Sequence, residues 1–250
     1  MNTLKSSSEL KSYAKGTLLG KYGTVIPAFL AAESVIFLIQ IIASNMVDMS
    51  TAYGMIIYYA IAFIVQLFAA IIALGQARLY LNITCNFPYA INDVYSGFSH
   101  HPDKAIKIQV LLLIYESLCM VPALIFYFLY TQSGNPLLML ATSITAIIGG
   151  ISACVIALTY SQTNYLILDF PQYSATEIMK LSKKIMKGYK GSFFYLTVSF
   201  LPLILLSFVT CCIGYLWVIP YINATNAQFY LDLIRVKSAP VVDETPVASN

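Results

Sequence analysis

Long apolar runs separated by short polar stretches recur along the whole chain. Six of these runs are long enough to cross a bilayer, whose roughly 30 Å hydrocarbon core takes about 20 helical residues. They cover about 22–44, 53–77, 108–130, 137–165, 192–211 and 213–234. The pattern predicts an all-α, polytopic membrane protein with six transmembrane helices paired as three hairpins. Each hairpin follows a cytoplasmic amphipathic or interfacial segment. Residues 1–235 read as a single membrane domain and 236–250 as a disordered cytoplasmic tail. The fourth run continues apolar to residue 168. It is therefore expected either to project from the membrane or to bend at Gly149–Gly150. The last two runs are expected to turn at Gly214.

The polar stretches have their own periodicity. In 1–21, Leu10, Tyr13, Ala14 and Leu18 recur at helical spacing between Lys5, Lys11, Lys15 and Lys21, and Ser6 with Glu9 matches a capping box. A short helix on the membrane surface is predicted. In 82–107, Pro88 suits a helix start and Gly97 its end, giving a second interfacial helix. In 169–191, Ser174 and Glu177 repeat the capping box, and Ile178, Leu181, Ile185 and Tyr189 make an apolar stripe. Lys180, Lys183, Lys184, Lys187 and Lys190 fill the other positions. These lysines are expected to meet anionic headgroups, each for about 1 kcal/mol.

One apolar run ends against its own pattern. The stretch PYINATNAQFYLD (220–232) places polar side chains where a lipid-facing helix would carry Leu or Ile. Asn223, Asn226 and Gln228 are therefore predicted to hydrogen bond to neighbouring helices, with Pro220 marking a kink.

Composition narrows the class. The chain is 59% hydrophobic and 10% charged, against about 25% charged in soluble domains. Charge then sets orientation. With six spans, all 14 Lys and Arg fall on one side, so both termini are expected in the cytoplasm. About 20 polar residues precede the first run, which suits an uncleaved anchor better than a signal peptide. The five cysteines form no CxxC pair and read as free thiols.

Candidate chemistry is sparse. Glu33 and Glu116 fall near the middles of the first and third spans, with Gln40 and Gln66 as polar neighbours. A carboxylate at that depth costs about 2.5–3.5 kcal/mol. Each acid is expected either to be held protonated or to face a polar cavity. Two readings stay open: a proton or cation relay, and a neutral acid bonded to another helix. His100, His101, Asp93 and Asp103 share one cytoplasmic connection without metal-ligand spacing, so a solvated loop is expected. No metal, cofactor or catalytic residue is predicted. The basic residues all lie close to a span, which argues against nucleic-acid binding. There is no P-loop, GxGxxG or GxSxG pattern, so a hydrolase or ATPase is not expected.

A weak threefold repeat is legible. GKYGT (20–24) resembles GYKGS (188–192) at the same hinge, and the exits ARLYL (77–81), TNYLI (163–167) and AQFYL (227–231) resemble each other. The alternative is that all membrane hairpins look alike. LGQARLYL (74–81), VYSGF (94–98), LSKKIMKGYKGSFFYL (181–196) and GYLWVIPYINATNAQFYLDL (214–233) carry a wider likeness. On these residues the chain resembles the bacterial integral membrane proteins grouped as domain of unknown function 975. More distantly it is similar to the membrane domain of some glycerophosphodiester phosphodiesterases. The resemblance implies a multi-pass protein of the bacterial plasma membrane and carries no catalytic residue. The expected function is non-enzymatic interaction with lipids or other membrane proteins. The alternative is a small-solute or ion transporter using the two carboxylates, and the third a membrane-embedded enzyme.

Overall fold

The computed structural model of the chain describes residues 4–242, and every element among them is helical. In order these are α1 (Ser7–Leu18), α2 (Tyr22–Met46), α3 (Ala52–Thr84), a 3-10 helix (Ile91–Phe98), α4 (Pro102–Ser133), α5 (Pro136–Tyr160), α6 (Thr163–Asp169), α7 (Ala175–Ile185), α8 (Lys190–Val198), α9 (Leu201–Val209) and α10 (Tyr215–Val242).

Local chemistry sets the ends. Both predicted capping boxes form: Glu9 Oε2 accepts from Ser6 N–H at 2.7 Å, and Glu177 Oε2 accepts from Ser174 N–H at 2.8 Å. Each closes two orphan amides at a helix start. Asn135 caps α5 by accepting from Leu137 N–H at 3.0 Å, with Pro136 in the first position. Left-handed residues end three of the surface segments. Gly20 (φ 76°), His101 (φ 57°) and Gly188 (φ 89°) precede α2, α4 and α8. The two glycines open the GKYGT and GYKGS sequences, so those share one backbone reversal.

Five segments are long and apolar enough to cross a membrane: Tyr22–Met46, Tyr53–Thr84, Pro102–Ser133, Pro136–Asp169 and Lys190–Val209. Their outward halves carry exposed Leu, Ile and Phe, for example Phe37, Phe63, Leu124 and Ile147. The helix α10, read from sequence as a sixth span, has 28 residues, but its polar side chains keep it out of that group. It also runs further than expected. The tail predicted from residue 236 is helical as far as Val242, and residues 243–250 lie outside the described residues.

The core gathers at the end that carries α1, the 3-10 helix and α7. The 3-10 helix lies backbone to backbone on α3. A Cβ at Gly75 would sit 1.8 Å from the Val94 carbonyl oxygen, and one at Gly97 would sit 2.1 Å from that of Ile71. Only glycine permits this approach. Helix α1 lies along α10 with Leu10, Ala14 and Leu18 fully buried. Helix α7 turns Ile178, Met179 and Ile185 onto the bundle, and its Ser182 Oγ donates to the Thr159 carbonyl at 2.8 Å.

Three expectations change. The apolar faces of α1 and α7, assigned from sequence to the membrane surface, are turned onto protein, except that Tyr13 of α1 stays exposed. A packed protein core was available to them, and sequence periodicity does not distinguish it from lipid. The 3-10 helix likewise buries Val94 and Gly97 on α3. The fourth run does not bend at Gly149–Gly150, because α5 is continuous there. Gly149 instead admits α4, where an added Cβ would meet the Cys119 carbonyl oxygen at 2.6 Å. The chain breaks further on, at Ser161–Gln162.

Gly75→Ala and Gly97→Ala should each destabilise the fold by about 1–3 kcal/mol through overpacking against backbone. Gly16→Ala, where the added carbon meets nothing within 4 Å, should not. Thermal unfolding of the three variants in one detergent checks this. Hydrogen bonds to Ser6 and Ser174 hold the Glu9 and Glu177 carboxyls below the usual 4.5. A lowered folded pKa gives a contribution that is full above about pH 4.5 and fades as pH falls through the folded values. A Glu9→Gln, Glu177→Gln double variant should therefore lose stability at pH 7 and show a flatter acid limb below pH 4.5.

Candidate functional site

The break between α5 and α6 opens the interior. Unpaired backbone at membrane depth is tolerated only where it is buried in protein or lines a cavity. Here it does both. Gln162 is fully buried, donating to Ser161 Oγ at 2.9 Å, and its Oε1 has no partner among the described residues. Ser161, Asn164 and Tyr165 line a chamber of about 160 Å³. Helix α3 brings Gln76 and Tyr80 to it, and α10 brings Asn223 and Asn226. Four residues with side-chain amides and two tyrosines thus line one space among apolar helices.

A second cavity of about 260 Å³ adjoins the first, with Ala73, Ser161 and Asn164 lining both. It adds Gln109, Tyr160 and Glu116. At the far side of the chamber, Gln76 Nε2 donates to Glu33 Oε1 at 3.3 Å. Glu33 itself is exposed on α2 and lines neither cavity, whereas Glu116 lines the second, and a run of polar groups lies between them. It passes from Glu33 through Gln76 into the chamber, past Asn164 and Ser161, to Glu116. At about 30 Å³ per molecule the chamber has room for a few waters, and its lining supplies the two to four partners each water needs.

The tyrosines of the three repeated exits meet around this chamber. Tyr80, Tyr165 and Tyr230 are all buried. Tyr165 stacks on Tyr230 with centroids 4.9 Å apart, and Tyr230 donates to Asp169 Oδ2 at 2.5 Å. Tyr80 pairs with Asn223.

The remaining sequence candidates separate. Gln228 Nε2 donates to Thr17 Oγ1 on α1 at 3.2 Å, as an interhelical bond. Gln40 Nε2 reaches the Tyr58 hydroxyl at 3.4 Å, away from the chamber lining. Gln66 is exposed on α3 and lines neither cavity. Lys180, Lys183 and Lys184 on α7 and Lys187 in the turn after it are exposed, and Lys190 is half-buried at the start of α8. His101 is a left-handed cap, while His100 contacts Arg78. Among the described residues no group of His, Cys, Asp or Glu is placed to hold a metal ion. Sequence reading missed Gln76, Gln109, Ser161 and Asn164. The resemblance of 77–81, 163–167 and 227–231 was the available signal, since it marks the places where three helices converge.

Asn223→Leu with Asn226→Leu should lower thermal stability, because Tyr80 loses its partner and the chamber loses two amides. An unpaired buried polar group costs about 1–3 kcal/mol. Melting of the purified double variant beside wild type measures the loss, and a melting temperature at or above wild type contradicts it.

The described protein is thus an all-helical bundle with five helices apolar enough to cross a membrane and a polar interior at one end. No curated protein and no solved structure matches the chain. The family described as "Protein of unknown function (DUF975)" matches residues 1–237, nearly the full length, and the chain belongs to that family.

Proposed function

We propose that this is a non-enzymatic, multi-pass protein of the bacterial plasma membrane that passes protons or a small cation between Glu33 and Glu116. The observation that carries the reading is the polar run joining those two acids through Gln76, Asn164 and the paired cavities. An ionisable residue within an apolar span is a functional candidate by default. Glu116 lines the second cavity, and Glu33, exposed on α2, reaches the chamber through its bond to Gln76. The cavities are small, which favours protons or a bare cation over a larger solute. In this reading α10 is a sixth span, the helices pair as three hairpins, and both termini lie in the cytoplasm. The supporting fact is that all 14 Lys and Arg then fall on one side. A packed polar helix surrounded by the other spans does not need an apolar surface of its own.

A second reading rests on α7. Its stripe is buried on the bundle, so Lys180, Lys183, Lys184 and Lys187 are left facing outward together. Four such lysines at the cytoplasmic interface would attract anionic headgroups at about 1 kcal/mol each. This would hold the protein in the membrane plane without being its activity.

The test is proton flux. Wild-type protein in liposomes loaded with a pH-sensitive dye should collapse an imposed pH gradient faster than protein-free vesicles do. Glu33→Gln and Glu116→Gln should each return the rate towards that background while keeping the wild-type melting temperature. The same vesicles with sodium or potassium gradients separate proton from cation passage. Wild-type vesicles as tight as empty ones to all three ions, or variants as leaky as wild type, would refute the reading.

A further inference from the structure

A second polar site lies on the other side of the Tyr165–Tyr230 stack. It is a groove of about 400 Å³ between α3, α6 and α10, within the size range of small-molecule sites. Its walls include Leu81, Leu168 and Leu231. Two opposite charges face into it from different helices: Arg78 on α3 and Asp169 at the end of α6.

Neither charge is neutralised. Among the described residues the one ion pair is Arg235–Asp232, at 2.6 Å. Arg78 Nη1 instead meets the His100 ring, 2.9 Å from Nδ1 and 2.8 Å from Nε2. The His100 Nδ1 also lies 2.9 Å from the Ser96 carbonyl oxygen. The ring holds the guanidinium at the groove, and among the described residues no carboxylate pairs with it. Across the groove, Asp169 takes the Tyr230 hydroxyl on Oδ2 and leaves Oδ1 open. Burial pushes the Cys85 thiol up, and Asp169 beside it adds to the effect, so the thiol brings no third charge.

A simple anion in this groove would face the Asp169 carboxylate, and a simple cation would face Arg78. A ligand carrying both signs meets neither obstacle. We propose that the groove binds a zwitterion, with its anionic group on Arg78 and Asn82 and its ammonium on Asp169. Phosphoethanolamine has this chemistry, as a lipid headgroup or free in solution. The guanidinium fork suits the phosphate, and the leucine walls suit the glycerol and first methylenes of a lipid.

The test uses the purified full chain in non-ionic detergent, titrated with short-chain phosphatidylethanolamine and, separately, short-chain phosphatidylglycerol, and read by native mass spectrometry. The ethanolamine lipid should bind more tightly. Arg78→Gln should weaken it by about tenfold or more, as expected when a hydrogen bond to a charged group is lost. Asp169→Asn keeps an acceptor for Tyr230 and should erase the preference over phosphatidylglycerol. Competition by soluble phosphoethanolamine at similar concentration identifies a free zwitterion as the occupant. Absence of competition identifies the lipid, and either result supports the site. Equal affinity for the two lipids in wild type, or unchanged binding in both charge variants, overturns it. If Arg78→Gln fails to fold, Leu231→Trp fills the groove from α10 without touching either charge. Unchanged ethanolamine-lipid binding in that variant overturns the proposal as well.

Discussion

A helix that carries Asn223, Thr225, Asn226, Gln228 and Asp232 can sit inside an apolar bundle only if each polar group finds a partner there. An unmade bond leaves a penalty of about 1–3 kcal/mol, more than the roughly 0.5–1.5 kcal/mol that a made one contributes. The packing around α10 follows from this asymmetry. Asp232 accepts from the Lys5 backbone N–H at 2.7 Å and pairs with Arg235. Gln228 reaches Thr17, and the Tyr221 hydroxyl donates to the Lys11 carbonyl at 3.2 Å. Thr225 Oγ1 returns to the Tyr221 carbonyl within α10. Three of these partners come from the N-terminal segment, so α1 is fixed along α10 by the polar groups that α10 must satisfy. The amphipathic pattern of α1 provides the apolar half of the same contact.

The same requirement separates what could be read from sequence and what could not. Capping boxes and left-handed glycines are local, and Ser6–Glu9, Ser174–Glu177 and Gly20–Gly188 were legible from a few neighbouring residues. Five of the six expected spans were legible as apolar runs, because membrane crossing is also a local length condition. The oddity of Asn223, Asn226 and Gln228 was legible as a demand for partners, but not the identity of those partners. Gly75 and Gly97 are far apart in sequence and matter only where the 3-10 helix crosses α3. Gly149 was read as a hinge because a Gly–Gly pair is compatible with bending, yet its lack of a side chain is used for close approach to Cys119. The break at Ser161–Gln162 has no glycine or proline to announce it, so the amides it directs inward were invisible until the helices were assembled.

The burial pattern divides the bundle along its axis. At the end away from α1 and α7, the helices expose Phe37, Phe63, Leu124, Ile147 and Leu205, side chains that suit lipid and do not need one another. At the opposite end, α1, α3, α6, α7 and α10 close around Leu74, Leu79, Leu166, Ile178 and Phe229. Between apolar helices in lipid there is little hydrophobic drive, so cohesion depends on close approach and on polar contacts. The Gly75 and Gly97 contacts and the α1–α10 hydrogen bonds lie at or near the closed end, which is why the core forms there.

The polar interior and the charged groove then become neighbours by construction. Tyr165 lines the chamber, Tyr230 bonds to the Asp169 carboxylate that lines the groove, and the two rings stack between them. Helix α10 supplies Asn223 and Asn226 to one space and Leu231 to the other. A shift of α10 along its axis would slide Tyr230 across Tyr165 and change both spaces at once. The hydrogen bonds that hold α10 to α1 oppose such a shift. The constraint that first looked like an awkward polar helix end therefore also sets how rigidly the two sites are held relative to one another.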